Sequence, residues 1–255
     1  MTPLHPDFLT VPLAHRGLHG GPTRPENSMG AVQSAMQGGY GIEIDVQLSE
    51  DGRAMVFHDD TLDRLTDASG PTRDVSADQL CRLTLANGTQ TIPTLRDILK
   101  EVNGRVPLLI EIKDQDHELG PNVGLLERAV AADLNGYAGP VAVMSFNPYS
   151  SLAMAALAPD VSRGLTTCDF TPNEWPGISK SHLQKLAEIA LPDALGASFV
   201  SHDCRDLDRP RIAELKGAGI AILTWTIRSI QEEQNARHIA DNITFEGYLA
   251  DHSPR

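Results

Sequence analysis

Short apolar segments recur along the chain, and longer segments in which apolar residues have helical spacing separate them. Runs of about four to eight apolar and β-branched residues are typical of buried parallel strands. Eight such runs are found, around Leu13, Ile44 and Ile110 and at 141–146, 162–167, 197–200, 221–226 and 245–251. Between them the spacing predicts helices at 28–36, 94–99, 149–157, 181–189, 211–218 and 229–239.

The alternation of strand and helix predicts an α/β fold, most economically a closed (β/α)₈ TIM barrel. An open doubly wound sheet is the alternative. It would carry a Gly-x-Gly-x-x-Gly turn after its first strand, and segment 15–21 does not supply those glycines in register. The length of 255 residues fits one barrel domain, 1–255, with its site at the carboxyl ends of the strands.

One segment, about 60–92, breaks the alternation. It is mostly polar and is long for a barrel connection, so we expect a small insertion that caps one end of the barrel. The insertion follows a predicted hairpin at 41–59, whose reversal is marked by Asp51-Gly52. In the simplest register of this hairpin, His58 lies opposite Glu43.

Charge and composition narrow the class of protein. The 21 basic and 34 acidic residues give a net charge of -13, which disfavours nucleic acid and anionic lipid as partners because like charges repel. Segment 1–8 lacks the basic start and apolar core of a secretory signal, so we expect a cytoplasmic protein. Cys81, Cys168 and Cys204 form no Cys-x-x-Cys pattern and are expected to be reduced and structural.

Two predicted strands carry carboxylates where buried strands normally carry apolar residues. Glu43 and Asp45 lie two positions apart and therefore share a face, and Glu111 shares a face with Lys113 in a second strand. A surface salt bridge is the simpler explanation for any one of these acids. Three acids that converge inside one barrel need a cation, and their oxygen ligands predict one divalent ion, Mg²⁺ or Ca²⁺.

Two histidines each end an apolar segment, where barrel enzymes place their chemistry. A lone histidine there is more often structural, but His15 and His58 on either side of a metal could act as a general acid/base pair. Arg16 and Lys113, next to these residues, are candidate phosphate-binding groups. The alternative makes both of them ion partners of the acids, and the two interpretations are compatible.

Two aromatic residues, Phe146 and Trp225, lie near strand ends and are candidates for lining a substrate pocket. Packing in the core is the alternative for both.

Together these motifs resemble those of the glycerophosphodiester phosphodiesterase family. The resemblance implies a (β/α)₈ barrel with an insertion after His58, and metal-dependent hydrolysis of glycerophosphodiesters to glycerol 3-phosphate and an alcohol. The matching segments run in order along nearly the whole chain: His15-Arg16-Gly17, Pro25-Glu26-Asn27-Ser28, Glu43-Ile44-Asp45-Val46, Asp51-Gly52, His58-Asp59, 61–66, 92–95, Glu111-Ile112-Lys113, Ser145-Phe146-Asn147, Trp225-Thr226, Gly247 and Asp251.

The roles that the resemblance implies by motif position are the same as those inferred above from residue type and spacing. The chain departs from the family pattern at Ser28, where threonine is usual, at Arg228, where a smaller polar residue is common, and at 245–251, which is less aliphatic than the family's last strand. The implied roles are general acid/base for His15 and His58, metal ligands for Glu43, Asp45 and Glu111, and phosphate binding for Arg16 and Lys113.

Three functions are compatible with these observations. The leading hypothesis is a cytoplasmic enzyme acting on small-molecule diesters such as glycerophosphocholine or glycerophosphoethanolamine, without nucleic acid or stable membrane association. A second keeps the barrel and metal but cleaves a lysophospholipid or another phosphodiester, which calls for an apolar lip near the mostly polar segment 60–92. A third, a non-catalytic barrel that binds phosphodiesters, is disfavoured because both histidines and all three acids are present.

Overall fold

A single nine-stranded sheet forms the centre of the molecule. The computed structural model describes residues 2–86, 88–190 and 195–252. Its strands are β1 (Leu13–Ala14), β2 (Gly41–Leu48), β3 (Ala54–Val56), β4 (Leu108–Ile112), β5 (Val141–Ser145), β6 (Ser162–Thr167), β7 (Phe199–Asp203), β8 (Ala221–Ile227) and β9 (Asn242–Phe245).

Helices alternate with most of these strands. In the described residues they are α1 (Asp7–Thr10), α2 (Met29–Gln37), α3 (Ala77–Leu80), α4 (Leu95–Val102), α5 (Leu125–Leu134), α6 (Pro148–Leu157), α7 (Lys180–Ala187), α8 (Pro210–Gly217) and α9 (Ile230–Ala236). Short 3₁₀ turns lie at Thr72–Asp74 and Cys204–Asp206. Within the described ranges, no helix has the length and apolar character that a membrane span requires.

Eight parallel strands close into a barrel. Their order is β1-β2-β4-β5-β6-β7-β8-β9, and β1 pairs with both β2 and β9. The short β3 lies outside this ring and pairs antiparallel with β2. The predicted (β/α)₈ barrel is therefore confirmed, and the open sheet is excluded.

Side-chain alternation along β2 explains how acids enter the barrel. Ile42, Ile44 and Val46 are fully buried in the apolar cluster that includes residues of α2 and α4. Because successive side chains of a strand point to opposite faces, Glu43 and Asp45 point to the interior. The strand thus packs its apolar face against helices and presents its carboxylates to the lumen.

The amino end of the barrel interior is filled by apolar side chains. Phe8 from α1, Leu109 and Phe199 belong to one fully buried cluster there. Gly164 makes room for the Phe199 ring, since a Cβ at this position would lie 2.4 Å from a ring carbon. This packing leaves the carboxyl end of the barrel as the place for a cavity.

Some predicted boundaries and the hairpin register were wrong. The last strand is Asn242–Phe245 instead of 245–251, because Gly247 takes a φ of +79° and ends the extended chain, and because the Asn242 amide pairs with the backbone carbonyls of Phe8 and Val11. In the hairpin, Val46 pairs with Val56, one residue away from the predicted register.

The connection between β2 and β3 explains the shifted register. The Ser49 N–H donates to the Arg53 carbonyl, so residues 50–52 close the reversal around Asp51, and the resulting register would place Ile44, and not Glu43, opposite position 58. The ladder ends before His58, which therefore has no strand partner opposite it. His58 nevertheless reaches the barrel mouth, because it follows directly after Phe57, whose N–H donates to the carbonyl of Asp45.

Segment 60–92 has a small apolar core of its own. Leu62, Leu80, Leu85 and Ile92 pack on Met55 and Phe57 of the hairpin. Isolated bridges join Thr61 to Pro71 and Thr84 to Thr91. We call the described part of this segment the cap; it is attached to the end of the hairpin that carries His58.

The three cysteines are free thiols. Burial raises the pKa of the Cys168 thiol to about 11, which suppresses the reactive thiolate at neutral pH. Their predicted structural role agrees with this.

Candidate active site

One cavity at the carboxyl ends of the strands brings together all nine residues that the sequence singled out. Its volume is about 140 Å³. Two larger hollows, one of them beside Pro107, lie at the amino ends of the strands, and two others lie beside the cap and the loop after β4; none of these four is lined by Glu43, Asp45 or Glu111. The cavity is lined by His15, Arg16, Glu43, Asp45, His58, Glu111, Lys113, Met144, Phe146, Trp225, Thr226, Arg228 and Thr244.

Three carboxylates form the floor of this cavity. Asp45 on β2 is in register with Glu111 on β4, and Glu43 lies two residues before Asp45. One oxygen from each carboxylate lies within 4.8 Å of the others, and all three side chains are buried. Burial, together with the negative charges of Asp45 and Glu111, raises the pKa of Glu43 well above its usual range.

The acidic cluster fits a divalent cation. Glu43 Oε1 is buried and has no hydrogen-bond partner in the described part of the chain, although a buried carboxylate oxygen normally has one. Oxygen donors without thiols suit Mg²⁺ or Ca²⁺. The residues present are therefore compatible with such an ion held by Glu43, Asp45 and Glu111.

Two basic side chains balance part of the negative charge. Lys113 Nζ lies 2.7 Å from Asp45 Oδ1 and 2.5 Å from Glu111 Oε1. Arg16 Nε lies 3.4 Å from Asp45 Oδ2, and the Arg16 backbone N–H donates to Glu43 Oε2 at 3.0 Å. Burial would raise the pKa of Asp45, but the positive charges around it, of which that of Lys113 contributes most, together outweigh burial and hold that pKa far below its usual range.

The backbone at Arg16 is strained. Its φ of +54° lies in the left-handed region, which costs a non-glycine residue roughly 1–2 kcal/mol. Gly17 follows with φ +76° and approaches the backbone of Ala31 so closely that a Cβ would lie 2.8 Å from it. This bend turns the Arg16 N–H towards Glu43, so the strain contributes to the arrangement of the cavity.

His15 is held by a carboxylate from the last strand end. Its Nδ1 lies 2.7 Å from Glu246 Oε2, and its Nε2 lies 4.0 Å from Glu43 Oε2. Glu246 Oε1 accepts from Arg228 Nε at 2.7 Å. Burial lowers the pKa of His15 despite the opposing effect of Glu246, so its ring is neutral at physiological pH.

His58 is held in the same way by its neighbour in sequence. Its Nδ1 lies 2.7 Å from Asp59 Oδ1, and both oxygens of Asp59 accept from Arg64. Burial would raise the pKa of Asp59, but its hydrogen bonds to His58 and Arg64 lower it below the usual range. Since a carboxylate only accepts, Nδ1 of each ring carries a proton, and a neutral ring offers its Nε2 lone pair.

Sequence reasoning missed several polar residues that hold the site. Asn27 donates from Nδ2 to Asp45 Oδ2 at 2.9 Å and accepts from the Asp45 backbone N–H at 3.1 Å. Its signal was the Pro25-Glu26-Asn27-Ser28 segment, to which no individual roles were given. Glu246 lies 231 positions from His15, and no local pattern connects the two.

Aromatic side chains form one wall of the cavity. Phe146 lies 5.5 Å from Trp225 and 5.0 Å from Trp175, measured between ring centroids. Trp225 Nε1 donates to the carbonyl of Ser201, so its polar edge is already satisfied. Phe146 and Trp225 both line the cavity and pack into an apolar cluster, so the two interpretations made from the sequence coincide.

Comparison with protein families gives a match over nearly the whole chain. The sequence model of the Glycerophosphoryl diester phosphodiesterase family matches residues 15–252. The match begins at His15 and includes every residue that lines the cavity.

Two bacterial relatives illustrate the similarity in sequence. YhdW of Bacillus subtilis is 28% identical over 226 residues, which cover 85% of this chain and 86% of that protein. The glycerophosphodiester phosphodiesterase of Caldanaerobacter subterraneus is 33% identical over 165 residues, which cover 61% of this chain and 66% of that enzyme.

Solved structures share the fold. A phosphodiesterase of Oleispira antarctica, in complex with the product sn-glycerol-3-phosphate, superposes with a TM-score of 0.76 at 24% identity over 94% of both chains. A glycerophosphodiester phosphodiesterase of Thermotoga maritima gives a TM-score of 0.70 at 20% identity over 92% of this chain and 94% of that one. The resemblance noted from the motifs is thus confirmed, and so is the predicted enzyme class, glycerophosphodiester phosphodiesterase. The chain belongs to the glycerophosphoryl diester phosphodiesterase family.

Proposed function

We propose that this protein hydrolyses glycerophosphodiesters to glycerol 3-phosphate and an alcohol, with a divalent cation and with His15 and His58 as the general acid/base pair. The observation that carries this proposal is the convergence of three buried carboxylates and two carboxylate-held imidazoles on one cavity. The Oleispira antarctica structure, which contains sn-glycerol-3-phosphate as a product, supports the choice of substrate class.

The metal would be Mg²⁺ or Ca²⁺, held by Glu43, Asp45 and Glu111. When bound there, such an ion supplies Lewis-acid polarisation of a phosphoryl oxygen. The unpartnered Glu43 Oε1 and the absence of thiols from the donor set are the features that support this cofactor.

Arg16 and Lys113 would bind the phosphodiester. Both line the cavity, and each is held in place by a carboxylate while it can also contact a phosphate oxygen. The charges of Asp45 and Glu111 overcome the effect of burial and raise the pKa of Lys113 above its usual range, so its ammonium is permanently charged. A fixed guanidinium and an ammonium together neutralise the two non-bridging phosphoryl oxygens as charge develops on them.

The two histidines would move the protons. The neutral ring accepts a proton at Nε2 from the attacking hydroxyl as the new phosphorus–oxygen bond forms. The other ring, protonated, donates from Nε2 to the alkoxide as the ester bond to the leaving alcohol breaks. Asp59 and Glu246 would hold the tautomers and stabilise each imidazolium, whether water or the glycerol 2-hydroxyl attacks first. In the second case a cyclic phosphate forms as the alcohol leaves, and water then opens its ring to give glycerol 3-phosphate.

The substrate would be a small head-group diester such as glycerophosphocholine or glycerophosphoethanolamine. A cavity of about 140 Å³ has room for a compact polar group, with Phe146 and Trp225 as its apolar wall. In the same proposal the chain is one barrel domain, and segment 60–92 is an inserted cap beside the site. A cytoplasmic location stays a prediction.

One assay tests the proposed function. Purified protein is treated with chelator and then supplied with glycerophosphocholine or lysophosphatidylcholine, with and without Mg²⁺ or Ca²⁺, and released glycerol 3-phosphate and choline are measured. Metal-restored release of glycerol 3-phosphate from glycerophosphocholine is the expected result. Activity confined to the lysophospholipid, full activity without metal, or no turnover of either substrate would contradict the proposal.

A further inference from the structure

Arg64, in the cap, contacts two carboxylates that belong to different parts of the site. Its Nε and Nη2 donate to Oδ2 and Oδ1 of Asp59 at 2.6 and 2.9 Å. Its Nη1 and Nη2 donate to Oε2 and Oε1 of Glu26 at 2.9 and 2.7 Å. One guanidinium thus makes four hydrogen bonds and binds both acids in a forked geometry.

The same oxygens extend these contacts into the cavity. Asp59 Oδ1, which accepts from Arg64, also accepts from His58 Nδ1 at 2.7 Å. Glu26 Oε1, which accepts from Arg64, also accepts from Arg16 Nη1 at 2.6 Å. A continuous chain of four short hydrogen bonds therefore runs from a candidate proton-transfer group to a candidate phosphate-binding group.

From this chain we infer that Arg64 is a positioning residue that sets the distance and orientation of His58 relative to Arg16. The inference rests on the proposed function, because it assigns the two ends of the chain to proton transfer and phosphate binding. Arg64 itself does not line the cavity in the described structure, so it acts through Asp59 and Glu26.

Physical chemistry explains why an arginine is needed here. Glu26 and Asp59 are both acidic and mostly buried, with 14% and 16% of their side chains exposed. Two carboxylates that are held close together repel each other unless a cation lies between them. The planar guanidinium offers five donors in a fixed fork, whereas a lysine at the same position offers a single charged point.

A surface ion pair without a positioning role is the alternative. The Arg64 side chain is 46% exposed, and ion pairs at such sites generally contribute little to stability. The two interpretations differ in what they predict for catalysis. A plain ion pair affects neither turnover nor substrate binding, while a positioning residue affects both, because it acts on His58 and on Arg16.

Steady-state kinetics of Arg64→Ala, Arg64→Lys and a control separate these cases. Misplacement of catalytic groups by about 1 Å costs up to roughly 100-fold, so we expect Arg64→Ala to lower kcat and raise KM for glycerophosphocholine, with a loss of roughly 10-fold to 100-fold in kcat/KM. Arg64→Lys should recover part of this loss. The matched control is Arg96→Ala, because Arg96 also pairs with an acid, Asp133, is 57% exposed and does not line the cavity.

Double-mutant cycles test whether His58 and Arg16 are connected through the hydrogen bonds that Arg64 makes to Asp59 and Glu26. Arg64→Ala combined with Asp59→Asn should lower kcat no more than about twofold beyond the worse single variant, because both changes break the same connection. Arg64→Ala combined with Glu26→Gln should behave likewise for KM. Fully multiplicative effects in both cycles, or wild-type kcat and KM for Arg64→Ala, would overturn the inference.

A spectroscopic measurement distinguishes failure of this inference from failure of the proposed function. In ¹⁵N-histidine-labelled protein, the Nδ1–H proton of His58, identified by its loss in His58→Asn, reports the hydrogen bond to Asp59 without any substrate. We expect Arg64→Ala to broaden or shift this resonance and Arg96→Ala to leave it unchanged. An unchanged resonance in Arg64→Ala would refute the positioning role, even in an enzyme that is fully active.

Discussion

The two candidate proton-transfer groups, His15 and His58, line one cavity and have similar neighbours. Each imidazole has a carboxylate 2.7 Å from its Nδ1, and each carboxylate accepts from an arginine. Their settings differ. His15 is deep in the barrel, with 13% of its side chain exposed, while His58 is 32% exposed and lies where the cap begins.

The origin of the two carboxylates differs as well. Asp59 follows His58 directly in the chain, while Glu246 comes from the far end of the sequence and reaches His15 only because β9 closes the barrel beside β1. The His15 side therefore depends on barrel closure, and the His58 side depends on the cap. The two imidazoles thus have similar hydrogen-bond partners, but barrel closure positions the partner of His15 and the cap supports the partner of His58.

The largest effects are expected from removal of the rings themselves. His15→Ala and His58→Ala should each lower kcat by about 100-fold or more, as expected for general acid/base groups. The measurement is glycerol 3-phosphate release at saturating metal and substrate, with circular dichroism to check the fold. A near wild-type rate for either variant would remove that residue from the proposed mechanism.

The next largest effect is expected from the three carboxylates of the cavity floor. Glu43→Gln removes a charge and one ligand oxygen, so the affinity for Mg²⁺ or Ca²⁺ should fall by at least about tenfold. Calorimetric titration of chelator-treated protein measures this directly. Glu214→Gln, on the outer helix α8, is the control, because this acid is exposed and pairs with Arg211. An unchanged titration for Glu43→Gln would exclude Glu43 as a ligand.

Neutralising the two supporting acids sharpens the comparison of the sides. Asp59→Asn and Glu246→Gln should each reduce kcat by roughly 10-fold to 100-fold, because the amide no longer holds the imidazole tautomer or stabilises its charge. The loss should be greater for Glu246→Gln, because water can replace the lost partner more easily at the more exposed His58. A greater loss for Asp59→Asn, measured by the same release assay, would contradict this order.

The smallest effect is expected from Arg228→Asn, a change towards the residue type common in the family. Arg228 contacts Glu246 but is 60% exposed, so its ion pair is screened by solvent. We expect kcat/KM for glycerophosphocholine to change by about fivefold or less, compared with the larger loss for Arg64→Ala. A loss as large as that of Glu246→Gln would show that both sides depend on their arginines equally.

The acidic floor could be predicted from sequence because it breaks a strong local rule. Glu43 and Asp45 interrupt an apolar strand, and Glu111 repeats the pattern in the next barrel strand, so their convergence follows from the side-chain period and the barrel topology. Their cavity position required no knowledge of loops. The roles of these residues stay predictions until metal binding is measured.

The supporting contacts could not be predicted in the same way. Glu246 and His15 are brought together only by closure of the barrel, and Arg64 reaches Glu26 through the cap, whose polar sequence has no simple period. The last strand was placed too late because Asn242 and Thr244 are buried in a strand, against their polarity, and Asn242 is stabilised by its amide hydrogen bonds to the carbonyls of Phe8 in α1 and of Val11. Such side chain to backbone bonds leave no periodic pattern in a sequence.

The apolar cluster of Phe8, Leu109 and Phe199 closes the amino end of the barrel interior. Substrate and both products would then enter and leave through the cavity opening at the carboxyl end. On the proposed mechanism glycerol 3-phosphate contacts Arg16 and Lys113, as the phosphate of the substrate does. On that mechanism we expect glycerol 3-phosphate to inhibit the reaction by competing with the substrate for the same site.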